Sequence, residues 1–410
     1  MIFKKKEFAS VYVFLLLIVT GCNIPYSPKQ QPSTVTNTID TTDTSGGSVG
    51  SGVIYQVNTG QQVCNPSISL SDAFTGCMLW LGFENLSVKV PDSLSGYSLT
   101  NAQEHDRLTI TDTANYVRWY MMLSDFAGRG ELQGPRWSTN PDYLTCLSGV
   151  IEEPYSGFAV RISDKKKLKI CNQKLEEFSI PHSWLPDSSF IAGTVDTPAF
   201  DANGFVLKEQ VIKFFGTSQF KFVYSLPGNV GTLYYIDYSL SNPAPVALKK
   251  PSGKESYYCS SPQISPDGNW VTYHCYSNAA QGSYYSTYIQ RLSSSSEPVF
   301  IAAKASDPHW WVNKYENSVY SIVYCCTNGS YFSEYDYTDA SIESSGAAGA
   351  TLIKRLKGTW ADVPGFVGGL EPDNSYAADT LIKLPFKGGI SPDGYFLCTA
   401  YKYAYLLRLN

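Results

Sequence analysis

Two copies of one five-residue string constrain this chain more than any other feature. They are Ile264-Ser265-Pro266-Asp267-Gly268 and Ile390-Ser391-Pro392-Asp393-Gly394. Pro266 and Pro392 hold φ near the value needed at the second position of a type I turn. Asp267 and Asp393 tolerate the region that follows, and Gly268 and Gly394 can take positive φ without a Cβ clash. Such a turn joins two antiparallel strands and leaves a one-residue bulge. The first copy runs into Asn-Trp-Val-Thr-Tyr-His-Cys-Tyr and the second into Tyr-Phe-Leu-Cys-Thr-Ala-Tyr. Both are aromatic and β-branched, as strands are.

Weaker copies share a proline two residues ahead of an apolar side chain. Pro262 precedes Ile264, and the same spacing occurs at Pro135-Arg136-Trp137, Pro198-Ala199-Phe200 and Pro308-His309-Trp310; at the last copy Gly388 replaces the proline. The starts at 135, 198, 262, 308 and 388 are separated by 63, 64, 46 and 80 residues. Further apolar runs follow each start, such as Phe158–Ile162, Leu233–Tyr238, Tyr288–Leu292 and Tyr405–Leu409. Strand, turn and three more strands make one four-stranded blade. Repeats of about 40–50 residues are those of a β-propeller, so the longer steps require loop insertions. Ser341–Ala350, small and polar, is one.

The Ser-Pro-Asp-Gly element followed by an aromatic strand resembles the TolB-type propeller repeat, with related repeats in the propellers of prolyl-oligopeptidase relatives. The resemblance spans residues 135–410. It implies an all-β propeller and is almost silent on activity. Blades are expected at 135–196, 197–260, 261–306, 307–387 and 388–410. Residues 61–134 should form a degenerate first blade or a small extra subdomain, giving six four-stranded blades in residues 53–410. The last repeat holds only about three strands, so a strand from Val53–Val57 is expected to close the ring.

The N-terminus reads as a processing segment. Lys4-Lys5-Lys6 precede an apolar core from Phe8 to Thr20, too short for a span of about 20 residues. It ends in Val19-Thr20-Gly21-Cys22. This resembles a bacterial lipobox, which implies a signal peptide over residues 1–21 and acylation of Cys22. More than one acyl chain makes such an anchor stable. Asn23 replaces the aspartate of the inner-membrane retention signal, favouring the outer membrane, on its periplasmic face or at the surface. Residues 22–52 are rich in Ser, Thr, Pro and Gly and form a flexible tether. Gly46-Gly47-Ser48-Val49-Gly50 matches a hydrolase nucleophile elbow in letters only, since no strand precedes it and no helix follows. Losing Lys4, Lys5, Lys6 and Glu7 takes the formal charge from −5 to −7. No basic patch with interleaved aromatics stands out, and Lys165-Lys166-Lys167 sits between two strands. Nucleic acid is not an expected partner.

Ten cysteines include Cys22, and export permits disulfides. If Ser265 faces Asn269 across a bulge at the turn, Cys259 lies opposite Cys275, within disulfide reach. Cys64–Cys77 and Cys146–Cys171 are further candidate pairs. Cys325, Cys326 and Cys398 remain. No C-x-x-C occurs, so no zinc or redox motif is present.

No catalytic constellation, cofactor motif or metal motif emerges. His105, His182, His274 and His309 fit no spaced ligand pattern. Glu104-His105-Asp106 could ligate a cation but reads more simply as an exposed loop. Glu152-Glu153 and Glu176-Glu177 are neighbours, whereas a glycosidase pair must face each other. Prolyl-oligopeptidase relatives carry their triad in a separate hydrolase domain, for which this chain has no room. The expected function is therefore a lipid-anchored cell-envelope module that binds or scaffolds a protein or glycan. Alternatives are a propeller glycosidase or polysaccharide lyase, and a purely structural subunit of an envelope complex. Trp310 and Trp311 could serve at a channel mouth, although aromatics at blade starts more often pack between blades.

Overall fold

The structure is a computed structural model. It describes residues 54–58 and most of 64–277, with gaps of which 180–190 is the longest. Beyond these it describes most of 286–312 and the segments 320–326, 336–340, 357–359, 389–393, 395–400 and 403–408. The segments expected to be a signal peptide and a tether, residues 1–21 and 22–52 including Cys22, lie outside the described residues, as do Pro266, Asp267 and Gly394.

The described strands form six four-stranded antiparallel sheets arranged as a β-propeller. The first sheet is β2 (Cys64–Ile68), β3 (Met78–Leu81), β4 (Arg107–Thr111) and β5 (Val117–Met122). The second is β6 (Glu131–Trp137), β7 (Tyr143–Gly149), β8 (Ser156–Arg161) and β9 (Lys167–Lys169). The third is β10 (Glu177–Ser179), β11 (Lys221–Ser225), β12 (Leu233–Asp237) and β13 (Val246–Ala247). The fourth is β14 (Tyr258–Ile264), β15 (Trp270–Tyr276), β16 (Ser286–Arg291) and β17 (Val299–Ala303). The fifth is β18 (Ala305–Val312), β19 (Tyr320–Cys326), β20 (Asp336–Ala340) and β21 (Lys357–Thr359). The last contains β22 (Gly389–Ile390), β23 (Tyr395–Ala400) and β24 (Tyr403–Arg408), and its fourth strand is β1 (Ile54–Asn58).

β1 pairs antiparallel with β24, Ile54 facing Leu407 and Gln56 facing Tyr405. The strand expected to close the ring therefore does so, and covers what would be an open edge. First strands are neighbours at five of the six junctions between successive sheets, and at the remaining one β10 lies beside β7 of the second sheet. β2 packs beside β6, β10 beside both β7 and β14, β14 beside β18, β18 beside β22, and β22 beside β2. The series returns to its start, which places these strands innermost.

Pro198 does not start a blade. The third sheet begins at Glu177, so the expected boundary at residue 197 is about twenty residues late. Phe200 makes only an isolated bridge to Val206, within an insertion between β10 and β11. The insertion also carries the helix α1 (Lys208–Phe215), which the sequence reading did not foresee. Val211, Phe214 and Phe215 are buried on one face of α1, and Gly216 ends it in the left-handed conformation at φ 70°. Arg161 donates to the Phe214 carbonyl at 3.0 Å, placing a cation at the helix C-terminus, where the macrodipole favours it. Aromatic residues Phe205, Phe214, Phe215, Phe220, Phe222 and Tyr238 pack with Tyr143, Leu147 and Leu168 of the second sheet. The insertion thus fills the seam between the second and third sheets.

At the first turn motif the structure describes Ser265 and Gly268. Gly268 has φ 71°, and its N–H donates to the Ser265 carbonyl at 2.9 Å. The Ser265 hydroxyl accepts from the Trp270 N–H at 2.9 Å. In the second copy the Ser391 hydroxyl donates to Asp393 Oδ1 at 2.5 Å. Cys259 and Cys275 form a disulfide, by a different route from the one expected. Ser265 bonds to Trp270 rather than Asn269, and the register shift lies between Ser260 and Gln263. The two departures cancel and leave Cys259 facing Cys275.

The other two proposed disulfides are not formed. Cys146 and Cys171 are free, buried thiols. Cys146 faces Phe158, and Phe158 faces Lys169, so two strand spacings, about 9.5 Å, separate the rows, beyond disulfide reach. Cys77 is also a free thiol. Its carbonyl accepts from the Ser69 N–H, whereas Cys64 faces Leu81. The two cysteines lie at opposite ends of one hairpin, about 13 Å apart along the strands. Burial pushes the Cys77 and Cys171 thiols up to about 11.

Candidate binding site: a belt of innermost residues

Four innermost strands carry the same irregularity. Three residues span two partner positions between Cys64 and Ser67, Gln133 and Arg136, Ser260 and Gln263, and Ser306 and His309. In each, two intervening residues stand opposite one, and the second of the two is a proline: Pro66, Pro135, Pro262 and Pro308. Proline donates no ladder bond, so it is tolerated at a bulge on an edge strand and blocks further pairing there. Gly134 and Ser261, the residues before Pro135 and Pro262, have φ 52° and 53°. The recurring proline therefore marks a bulge. Pro66 carries the same mark in the first sheet, where the sequence reading saw no signature.

The residue after each proline, and the one after that, form a belt of contacts between sheets. Gln263 Nε2 donates to His309 Nδ1 at 2.6 Å, and Trp310 Nε1 donates to the Gln263 carbonyl at 2.9 Å. At the corresponding position of the last sheet, Gly389 has φ 98°, and a Cβ built there would lie 3.7 Å from His309 Nδ1 and 3.4 Å from Ile68 Cγ2. Ser67 Oγ accepts from the Trp137 N–H at 3.1 Å. The belt runs unbroken from the fourth sheet through the fifth, sixth and first to the second. Trp310 is 3% exposed; it packs between sheets, so it is not a surface anchor. The side chain of Trp311 is outside the described residues.

Along β6, before the bulge, lies a second polar group. His105 has φ 54° and is buried. Its Nδ1 lies 2.7 Å from Gln133 Nε2 and 3.1 Å from Glu131 Oε2, and its carbonyl accepts from the Leu132 N–H at 3.0 Å. Asp106 pairs with the fully buried Arg107 at 2.7 Å, and Arg107 also donates to the Ser98 carbonyl. The expectation of an exposed loop at His105-Asp106 is thus corrected. Both residues are buried where the first sheet meets the second. Among the described residues no three His, Cys, Asp or Glu side chains are grouped to hold a metal ion. His274 Nε2 lies 2.9 Å from Ser260 Oγ, its cross-strand partner. Glu104, Glu152, Glu153, Glu176 and His182 lie outside the described residues, and Glu177 faces Ser225 in the third sheet.

Comparison at the sequence level finds no matching family model and no curated relative. Similar solved structures include a chain assigned as TolB from Agrobacterium tumefaciens, with 11% identity, TM-score 0.42, and 87% of this chain and 97% of that one covered. TolB from Acinetobacter baumannii has 11% identity, TM-score 0.27, and 61% of each chain covered. A structure titled as one of two prolyl endopeptidases has 8% identity, TM-score 0.32, and 73% and 43% covered. This chain therefore spans under half the length of that peptidase. The fold assignment rests on the strand pairing described above.

Proposed function

We propose that this protein is a cell-envelope lipoprotein whose six sheets are the six blades of one TolB-like ring, acting as a binding or scaffolding module for a protein or glycan. Acylated Cys22 would hold it at a bilayer, the outer membrane being favoured, with residues 22–52 as the tether. The observation that carries this reading is the pairing of β1 with β24. It fastens the chain just after the tether into the ring itself, leaving a closed platform with no free sheet edge at that seam. Among the described residues no helix is long and apolar enough to cross a membrane.

The test has two arms. Metabolic labelling with a palmitate analogue should mark the wild-type protein and not Cys22→Ser. Cross-linking in cells, followed by mass spectrometry, should return one recurrent envelope partner or glycan linked to ring residues. An unlabelled wild-type protein would overturn the anchor, and cross-links scattered without a recurrent partner would overturn the binding module.

A further inference from the structure

Three cations far apart in sequence, Lys89, Arg118 and Lys165, are all exposed on the outer strands of the first and second sheets. Backbone bonds fix the first. The Lys89 N–H donates to the Asn115 carbonyl and the Val117 N–H to the Lys89 carbonyl, each at 2.9 Å, which pairs Lys89 with Tyr116 at the start of β5. The Lys89 ammonium lies 4.7 Å from the Tyr116 ring centroid, and the Arg118 guanidinium carbon 5.4 Å from the same centroid. Lys165 sits in the turn between β8 and β9 at φ 56°, with its ammonium 4.4 Å from the Tyr120 ring centroid. Beside that turn Trp119 Nε1 donates to the Ile162 carbonyl at 2.9 Å, which fastens β5 to the second sheet.

The set faces solvent. Val117, Trp119 and Met121 are buried, while Arg118 is exposed and Tyr120 half-buried on the other side of β5; Tyr116 is 37% exposed. Ring, cation and ring thus alternate over about 13 Å of strand, with a further ammonium at each end. Tyr120 is held in place. Tyr97 meets it edge-on at 5.2 Å between ring centroids, and a Cβ on Gly96 would lie 2.8 Å from its hydroxyl. The neighbouring acids are committed. Asp112 accepts from Arg118 and from the N–H groups of Ala114 and Tyr116, and Asp164 from Arg161 and the Lys166 N–H. The chain carries a formal charge of −5, yet among the described residues neither Lys89 nor Lys165 forms an ion pair. Unneutralised cations grouped on an acidic protein are complementary to an anionic partner.

We propose that this stripe binds a linear acidic glycan. Its carboxylates pair with Lys89 and Lys165 and with the donors that Arg118 has to spare. Its sugar rings lie against Tyr116 and Tyr120, each of which offers an apolar body and a polar hydroxyl. Cations strung along a strand with a ring between neighbours match a polymer that alternates ring and charge. A membrane surface would require apolar side chains beside the cations, and the other exposed large apolar residues lie elsewhere: Ile191 and Leu240 between strands of the third sheet, and Phe300 on β17. The proposal rests on the binding-module reading, which it deepens by naming the class of glycan, and it does not depend on the lipid anchor.

The experiment is calorimetric titration of the full-length protein with oligogalacturonate, and with oligoglutamate and oligothymidylate as comparators, at fixed ionic strength. Sedimentation with phosphatidylglycerol vesicles runs alongside. Saturable binding of oligogalacturonate is expected, tighter than that of either comparator. It should weaken about ten-fold in the double variant Lys89→Gln, Lys165→Gln and measurably in Tyr116→Leu. Lys254 supplies the control. Its ammonium lies 4.2 Å from the Tyr257 ring centroid, with no second cation at that ring among the described residues, so Lys254→Gln should bind as the wild type does. Lys89, Lys165 and Tyr116 are exposed, and their replacement leaves the core untouched. No saturable binding, wild-type affinity in the double variant or in Tyr116→Leu, or an equal loss in Lys254→Gln would overturn the site. Equal or tighter binding of oligoglutamate, oligothymidylate or vesicles would overturn the glycan as its ligand. Recurrent cross-links in cells to other parts of the ring, with no glycan bound here, would sink this site and leave the binding module intact.

Discussion

Gln263 and His309 lie on the innermost strands of neighbouring sheets, and the amide of one donates to Nδ1 of the other at 2.6 Å. His309 is 2% exposed, so water cannot replace that donor. Gln263→Leu should therefore destabilise the protein by about 1–3 kcal/mol, the cost of stranding a buried polar atom. Trp310→Phe removes one neutral hydrogen bond to the Gln263 carbonyl and should cost about 1 kcal/mol. Urea denaturation of both variants checks this order, and a silent Gln263→Leu would show that the contact does not fasten the two sheets.

Gly231 and Gly253 separate two effects usually confounded. Both have positive φ, 59° and 73°. A Cβ on Gly253 meets nothing within 4 Å, whereas on Gly231 it would sit 2.5 Å from the Cys259 nitrogen and the Tyr258 Cα. Gly253→Ala should cost about 1 kcal/mol of backbone strain. Gly231→Ala should cost about 1–3 kcal/mol more, because backbone must move. Equal melting temperatures for the two variants would contradict the close approach.

The disulfide closes a sequence separation of 16 residues. Replacing both Cys259 and Cys275 with alanine should lower stability by about 3 kcal/mol on a loop-entropy estimate. Both sulfurs belong to buried residues, so reductant should act only as the protein opens. Guanidinium unfolding with and without reductant reads both points, and an identical midpoint in the two conditions would show that the bond is not formed.

Asp164 offers a pH-dependent test. Hydrogen bonds from Arg161 hold its carboxyl below the usual range. A depressed folded-state pKa gives stability that is present above the ordinary carboxylate pKa and lost as pH falls through the depressed value. Asp164→Asn should therefore melt below the wild type at neutral pH, with the gap closing in acid. The carboxylate is 40% exposed, so solvent screening keeps the gap small. A gap that widens in acid would reverse the sign and refute the assignment.

Local chemistry made the turns and the closing strand legible, and it misplaced the third sheet. Pro198-Ala199-Phe200 has the same local spelling as Pro135-Arg136-Trp137. Only the second has a partner strand, because Arg136 faces Thr145 while residues after Phe200 lead into α1. Spelling does not carry pairing. α1 itself is eight residues long, and its Phe-Phe end is a weak helix former. Its stability comes from the aromatic cluster it covers, which no short window displays. The disulfide shows the converse. Two errors of one residue, at the turn and at the bulge, offset each other and left the right pair facing. The belt went unread because each member is ordinary alone; only the ring brings Gly389, His309 and Ile68 together.

Because β1 is hydrogen-bonded to β24 and, among the described residues, to no strand near it in sequence, mechanical load entering from the amino-terminal side passes through five residues, Ile54–Asn58. Tension there would peel a single ribbon away before reaching any consecutive hairpin. Among the described strands, a tear line lies where the chain enters.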